Sequence, residues 1–335
     1  MKGKQKFFLI LLLGLLSAIG PFSIDMYLPG FPDIAADLHT TVAHVALSLS
    51  SFFVGISAGQ LLYGPLLDRY GVKRPLYIGL VIYILSSAGC SLANTADMLI
   101  LLRLLQALGG CVGMVASRAM VRNIFPVHEN AKVFSMLMLV IGVSPIIAPT
   151  LGGYITASIG WQYIFAVLAV MVTLILAALY FGLPEGKKPN PSHSLKPKHI
   201  VSGFLLVIKE PQFYTYVFTG SIASAGLYAY LSGSPYVFMN IFHVSEKQYG
   251  GIFALIAAGL ILSSQVNSFL LRKWSSEQIV RAALCCQSIA GIALFLGMLL
   301  GWIGLFGTIG IIFIFLSSQG FTFPNTCFIT CPVFT

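Results

Sequence analysis

Long apolar runs alternate with short polar breaks from one end of this chain to the other. Ten runs can be marked, at roughly 7–28, 42–63, 75–93, 98–118, 133–155, 162–183, 213–239, 249–271, 279–300 and 303–324. Each is close to the ~20 apolar residues that an α-helix needs to cross a bilayer. Inside lipid the backbone must satisfy its own N–H and C=O groups, which a helix does within one segment. The pattern therefore predicts an all-α, multi-pass membrane protein. The first run opens with Lys2, Lys4 and Lys6 and resembles a secretory leader as far as Ala18-Ile19-Gly20, but Pro21 follows at once and nine more runs come after. It is read as an uncleaved first span.

The polar breaks encode orientation. Seventeen of the nineteen Lys and Arg residues fall at the N-terminus or in every second break, among them Arg69, Lys73, Arg74, Arg118, Arg122, Lys132, Lys273 and Arg281. The opposite breaks carry Lys247 with Asp33, Asp37, Asp97 and Glu246, and Arg103 falls inside the fourth run. The positive-inside rule then puts the N-terminus in the cytoplasm. One break is longer than the rest. Residues 184–211 are rich in Pro, Ser and Lys, a composition expected of a flexible cytoplasmic linker. Its apolar piece Ile200–Ile208 is too short to cross and is expected at the membrane interface. This linker divides the chain into 1–183, with six spans, and 212–335, with about four.

Composition narrows the classes. With 57% hydrophobic and 9% charged residues, the chain is far too apolar for a soluble enzyme or a disordered protein. The net charge of +9 is spread over short loops rather than gathered on one face, which argues against nucleic acid as a partner. The six cysteines show no zinc-like spacing and are read as small buried hydrophobes. No nucleophile–base set and no phosphate loop can be found, so neither an enzyme, a metal, a cofactor nor ATP drive is expected.

Three stretches carry more specific information. Between the second and third runs lies Gly64-Pro65-Leu66-Leu67-Asp68-Arg69-Tyr70-Gly71-Val72-Lys73-Arg74-Pro75-Leu76. Gly64 is expected to permit a close helix approach and Gly71 a tight turn. Asp68, an acid in a basic loop, is expected to hold a partner such as a helix N-terminus or Arg69. In the fourth run Arg103, Gln106, Gly110, Gly113 and Ser117 share one helix face. In the fifth, Gly142, Pro145, Pro149, Gly152 and Gly153 do the same; Pro kinks and Gly close contacts there suit either a pivot or a simple packing seam.

The first of these stretches resembles the signature loop of the major facilitator superfamily. The fourth run is similar to that superfamily's fourth helix, with Ala107 where Gly is usual. The fifth resembles the antiporter motif of its drug:proton antiporters, with Ala148 in place of a Gly. The first run and the residues just after it, through Gly20-Pro21, Asp25-Met26-Tyr27-Leu28-Pro29 and Phe31-Pro32-Asp33, resemble the bicyclomycin-resistance (Bcr/CflA) drug-efflux family. The resemblance spans about residues 5–325. It implies a two-bundle fold in the bacterial inner membrane and proton-driven export of small toxic compounds by alternating access, working as a monomer. An uptake symporter of the same fold and a non-transporting product remain open. Twelve helices are usual in the superfamily, where the signature loop docks near the eleventh. The chain is therefore expected to be truncated after the tenth helix, with an incomplete second bundle and Asp68 deprived of its dock. Residues 326–335 match nothing familiar and are read as a frameshifted or prematurely stopped tail.

Candidate site residues can now be named. Asp25 lies inside the first run, where a carboxylate costs about 2.5–3.5 kcal/mol at mid-bilayer unless it meets water or a partner. Counting from the outer ends of their runs puts Asp25 and Arg103 at similar depth, which makes an interaction possible. Asp25 is the expected proton-coupling residue with Arg103 as partner; a structural ion pair or an interfacial carboxylate that snorkels is the alternative. Tyr27, Gln106, Met114, Tyr228 and Tyr230 are candidates to line a substrate cavity, though Met at such positions is commonly core. Gly64, Asp68, Arg69, Gly71, Lys73, Arg74, Pro145, Pro149, Gly152 and Gly153 form the expected conformational motifs. Gln60, Gln265, Asn267, Gln319 and Asn325 serve equally as helix–helix glue or as substrate contacts.

Overall fold

The computed structural model describes the backbone of residues 3–183, 211–271 and 273–330. Residues 184–210, with the lysines of the expected linker and the interfacial Ile200–Ile208 piece, lie outside the described residues, as do 331–335 and the side chains of Tyr214, Tyr216 and Cys327. Every apolar run is occupied by a helix. The first is interrupted: α1 spans Gly3–Asp25, a single 3-10 turn follows at Leu28–Gly30, and a short α2 covers Phe31–Asp37. Then come α3 (Val42–Tyr70), α4 (Lys73–Ser91), α5 (Ala96–Ile124), α6 (Val127–Ile159) and α7 (Gln162–Gly182). After the gap stand α8 (Pro211–Pro235), a π-helical turn (Tyr236–Ile241), α9 (Glu246–Leu270), α10 (Ser276–Leu299) and α11 (Leu305–Thr330). Among the described residues, eight helical segments are long and apolar enough to cross a membrane; α4 and α8 are not in that set.

Local chemistry sets the helix ends. Thr41 and Thr95 accept from the backbone N–H of His44 and Met98, capping α3 and α5. Ser245 and Ser275 form full capping boxes with Gln248 and Gln278 at the starts of α9 and α10. The basic residues Lys73 and Arg74 open α4 without any side-chain cap.

The chain forms two compact units, residues 1–200 and 201–335. In the first, α5 is the centre and packs against α3, α4 and α1, while α6 lies along α1 and α7 covers α4 and α1. Missing side chains let the backbones approach. A Cβ on Gly113 would stand 2.5 Å from the carbonyl oxygen of Leu16 on α1, and one on Gly109 would stand 2.6 Å from the backbone N of Tyr83 on α4. A Cβ on Gly55 of α3 would stand 2.7 Å from Ala107 Cβ; the Ala that replaces a usual Gly on α5 thus faces a Gly on its neighbour. Leu13, Leu16, Ile19, Leu80, Val112 and Leu179 fill the spaces between these contacts. In the second unit, α11 takes the central place against α9, α10 and α8. Large apolar residues cover the outside, with Phe181 and Phe306 both 86% exposed, as a protein solvated by lipid requires. A hydrogen bond of 2.9 Å from Asn325 to Asn267 ties α11 to α9, so these two amides act as glue.

The loop motif takes a form that the sequence did not foretell. Gly64 through Tyr70 continue α3 as helix despite Pro65, and the turn is only Gly71-Val72, with Gly71 at φ +76°. That left-handed backbone is one that Gly adopts without a Cβ clash. Gly64 makes no close approach: a Cβ there would meet nothing within 4 Å. Asp68 lies on the last turns of α3, is exposed, and among the described residues has no side-chain ion pair or hydrogen bond. Arg69 lies over the ring of Tyr70 instead, 5.6 Å from its centroid. The helix α11 runs on through Thr330, so the first half of the stretch set apart as a tail continues regular structure.

On α6, a Cβ at Gly152 would run into the main-chain oxygen of Met26, and one at Gly14 on α1 would sit 2.9 Å from Val140. The seam between α1 and α6 is therefore built on absent side chains, and backbone cannot yield as a flexible side chain does. Gly152→Val should cost about 1–3 kcal/mol through overpacking, lowering the thermal midpoint in detergent by roughly 2–4 °C per kcal/mol. Gly64→Ala, into open space, should leave that midpoint unchanged or slightly raised. Tryptophan fluorescence on heating reads both variants, and equal midpoints would contradict the seam.

Candidate functional site

Among the described residues, the most enclosed charge is Arg103 on α5, at 0% exposure. It does not pair with Asp25. One terminal nitrogen donates to Gln106 Oε1 at 2.7 Å and the other to the carbonyl oxygen of Ser23 at 3.1 Å. Among the described residues no carboxylate lies within ion-pair distance of it, and Nε has no partner. Rings replace the missing acid. The guanidinium carbon lies 4.1 Å from the centroid of Phe52, 4.6 Å from Tyr27 and 5.7 Å from Phe165. Aromatic faces attract a cation electrostatically, and more strongly where water is excluded. The Ser23 carbonyl belongs to the last turn of α1, whose C-terminal carbonyls lack helical partners and carry partial negative charge. Arg103 thus caps a buried helix end.

The bond to Gln106 leads on to α4. Gln106 Nε2 donates to Ser87 Oγ at 2.6 Å on α4, one turn after Tyr83 on the same helix face. Tyr83 meets Ser23 Oγ at 2.6 Å, and Ser23 gives its own proton to the carbonyl of Ile19, also at 2.6 Å. Since Ser23 spends its proton on Ile19, Tyr83 must be the donor in their contact. These bonds tie the guanidinium to α4 through Gln106, and α4 back to α1 through Tyr83. Sequence reading missed Ser23, Tyr83, Ser87 and Phe52. The spacing of Tyr83 and Ser87, four apart on one face of α4, was the available signal.

Geometry explains why the expected pair does not form. The face of α1 turned to α5 carries Leu16 against Gly113, Ile19 against Gly110, Ser17 against Ser117 and Ser23 against Arg103. Asp25 stands two positions beyond Ser23, about 200° further round a helix of about 3.6 residues per turn. It is the last residue of α1, buried at 5% exposure, and among the described residues it has no hydrogen bond or ion pair. Met26 beside it is the residue against which Gly152 of α6 packs. A buried carboxyl thus sits at the break of α1, next to the residue that Gly152 of α6 packs against, and among the described residues no cation pairs with it.

The remaining candidates divide. Tyr27 is fully buried, bonds Ser48 Oγ at 2.7 Å and packs edge-on to Phe31 and tilted against Phe165. It and Gln106 are walls of the Arg103 enclosure rather than the lining of an open cavity, because their polar atoms are already spent. Met114 is half-buried and receives a bond from Gln60 Nε2 at 3.8 Å. It lines a cleft of about 10 Å³, room for one water at most. Tyr228 is 49% exposed and stands off any cavity wall described. Tyr230, in the second unit, lines a cavity of about 370 Å³. No group of three or more potential metal ligands occurs among the described residues.

The relatives agree with this architecture. A family profile described as Major Facilitator Superfamily matches residues 13–333, running into the stretch 326–333 that the sequence reading set apart. Over 297 residues the chain is 34% identical to the bicyclomycin resistance protein homologue of Haemophilus influenzae, a match covering 89% of this chain and 75% of that protein. It is 30% identical over 286 residues to a chloramphenicol resistance protein of Pseudomonas aeruginosa, covering 85% of this chain and 67% of that one. The chain thus spans about two thirds to three quarters of the length of the curated relatives it matches. A bacterial homologue of the human lysosomal transporter Spinster shares the fold, with a TM-score of 0.74 and 15% identity over 100% of this chain and 77% of that one. With a profile match over nearly all of its length and relatives at 30% identity or more, the chain belongs to the Major Facilitator Superfamily of membrane transporters.

Proposed function

We propose that this chain is a proton-driven exporter of small toxic compounds in the bacterial inner membrane, with a cytoplasmic N-terminus, working as a monomer through alternating access of its two units. The names of its relatives, bicyclomycin and chloramphenicol resistance proteins, support export of drug-like molecules. The observation that carries the mechanism is Asp25. A buried carboxyl without a cation can gain and lose a proton without breaking an ion pair, and Asp25 sits where α1 breaks and where α6 bears on it. Movement of the Pro145–Gly153 segment against Met26 would change the surroundings of the carboxyl, and so couple proton exchange to the switch of state. Arg103 acts as a positioning residue: it caps the end of α1 and thereby sets where the break, and Asp25, lie. The Gly71 turn joins α3 to α4, and the cations Arg69, Lys73 and Arg74 keep that turn on the cytoplasmic side.

In everted vesicles, adding a transported drug should collapse part of the imposed pH gradient. Asp25→Asn should abolish that response while the protein remains inserted; an undiminished response would remove Asp25 from the mechanism. Stability separates the two roles. Arg103→Lys cannot keep both charge-assisted bonds and should lose about 1.5–3 kcal/mol in denaturant titration, whereas Asp25→Asn should lose nothing measurable. With no contact between them, the double variant should show a coupling within about 0.5 kcal/mol of zero. A larger coupling would mean that the two residues do form a pair.

A further inference from the structure

Asp25 has no hydrogen bond or ion pair of its own among the described residues, so its place is set by what holds the chain on either side of it. On the near side, Arg103 grips the Ser23 carbonyl at 3.1 Å. On the far side the chain passes through the 3-10 turn Leu28–Gly30 into α2, a helix of only seven residues. So short a helix is not stable by itself, and its neighbours must keep it in place. Phe31 and Ile34, both at 0% exposure, anchor its apolar face. Its last residue, Asp37, is anchored by directed bonds. One carboxylate oxygen accepts from the indole Nε1–H of Trp161 at 2.8 Å and from the side-chain amide of Gln162 at 3.2 Å. Both donors stand where α7 begins, an end whose partial positive charge favours a carboxylate. Gly160 makes this arrangement possible, turning the chain from α6 into α7 at φ +104°.

Trp161 carries the grip inward. It is only 2% exposed, although its nitrogen reaches an exposed carboxylate. A Cβ on Gly30 would stand 3.4 Å from Trp161 Cβ and 3.3 Å from Thr156 Oγ1, so α6 and the start of α7 close directly on the 3-10 turn. The indole meets Phe165 edge-on at 6.1 Å, and Phe165 in turn lies 5.3 Å from Tyr27 and 5.7 Å from the Arg103 guanidinium. Two grips therefore flank Asp25 and are joined through Phe165. The inner one is Arg103 on residue 23, and the outer one is Trp161 on residues 30 and 37. Hydrogen bonds to a charged acceptor are roughly twice as strong as neutral ones, which makes the Asp37 carboxylate the firmest directed contact of the outer grip.

We propose that Asp37 is a positioning residue for Asp25: by holding Trp161 against the turn at Gly30, it keeps the break of α1 closed and the Asp25 carboxyl out of water. The proposal rests on the reading of Asp25 as the proton-exchanging group and gives that group an outer support besides Arg103. Carbodiimides modify buried protonated carboxyls, and mass spectrometry of the full chain in detergent reads the ratio of water-soluble to lipophilic carbodiimide adducts at Asp25. Asp37→Ala should raise that ratio about tenfold, the size expected when one hydrogen bond to a charged acceptor no longer opposes local opening. Trp161→Phe keeps an aromatic ring but loses the N–H. It should raise the ratio similarly, and serves alone if Asp37→Ala inserts poorly. Asp37→Asn, which keeps an acceptor oxygen, should recover most of the change. A residue that only supports the fold would lower the thermal midpoint without moving this ratio. Of the three tryptophans, Trp274 and Trp302 are exposed and lie in the second unit. With both replaced by Phe, Trp161 emission should shift to the red in Asp37→Ala. In everted vesicles the same variant should lower the maximal drug-induced proton response while leaving the half-saturating drug concentration unchanged. An unchanged adduct ratio or an unchanged Trp161 emission in Asp37→Ala overturns the proposal, and so does a ratio that rises in Asp37→Ala but not in Trp161→Phe. The adduct ratio requires no transport. An undiminished proton response in Asp25→Asn would therefore remove the export reading, while the ratio still decides whether Asp37 places Asp25.

Discussion

A full positive charge enclosed among apolar helices, with no acid beside it among the described residues, is the constraint around which the first unit is arranged. An isolated buried ion would cost tens of kcal/mol by simple solvation arguments, and real proteins avoid that by pairing or hydrogen-bonding it. Arg103 is stabilised by three aromatic faces, an amide and the exposed carbonyl end of a helix. Each of these comes with a geometric demand. The rings must come from the residues just past α1, from α3 and from α7, the amide must be propped by α4, and α1 must end where its carbonyl can be reached. One side chain therefore fixes four neighbouring helices relative to α5, and the polar contacts of Ser87, Tyr83 and Ser23 complete the arrangement.

That arrangement gives Asp25 its character. Were the two ions paired, a carboxyl that took up a proton would leave a buried cation uncompensated, with the large penalty that breaking such pairs carries. Here the cation is satisfied independently, so the carboxyl can change charge without disturbing it. The separation follows from the pitch of α1, which points Ser23 at α5 and turns Asp25 elsewhere. The glycine seam between α1 and α6 then brings a helix with two internal prolines against the residue next to the carboxyl. Stable enclosure of one charge and freedom of the other are two results of the same packing.

The two units share a plan, with a central helix that packs three others, yet they fill it differently. In the first, the space beside the central helix holds hydrogen-bonded polar side chains. In the second, an apolar hollow beside α11 is bounded by α8, α10 and the π turn. Polar filling favours a single rigid arrangement, since each donor needs its acceptor. An apolar hollow imposes no such requirement and accepts a range of shapes.

Much of this is legible in the order of the residues. Run lengths and hydropathy place the helices, the glycine spacing on α5 identifies the face that packs closely, and Gly71 marks the tight turn. The motif stretches point to the superfamily, because they join several uncommon residues in one order. Other features cannot be read in one dimension. That Asp25 and Arg103 do not meet depends on which way α1 is rotated against α5, and run boundaries leave that angle undetermined. That Gly64 faces open space, that Asp68 goes without an ion partner among the described residues, and that Ser23, Tyr83 and Ser87 join the Arg103 network depend on contacts between residues up to 80 positions apart. Sequence alone determined which segments are helical and which faces are small or polar, because those follow from local periodicity and residue type. Only the tertiary structure decided which polar atoms satisfy one another, because a hydrogen bond is set by a few tenths of an ångström and by direction, and both arise from how whole helices pack.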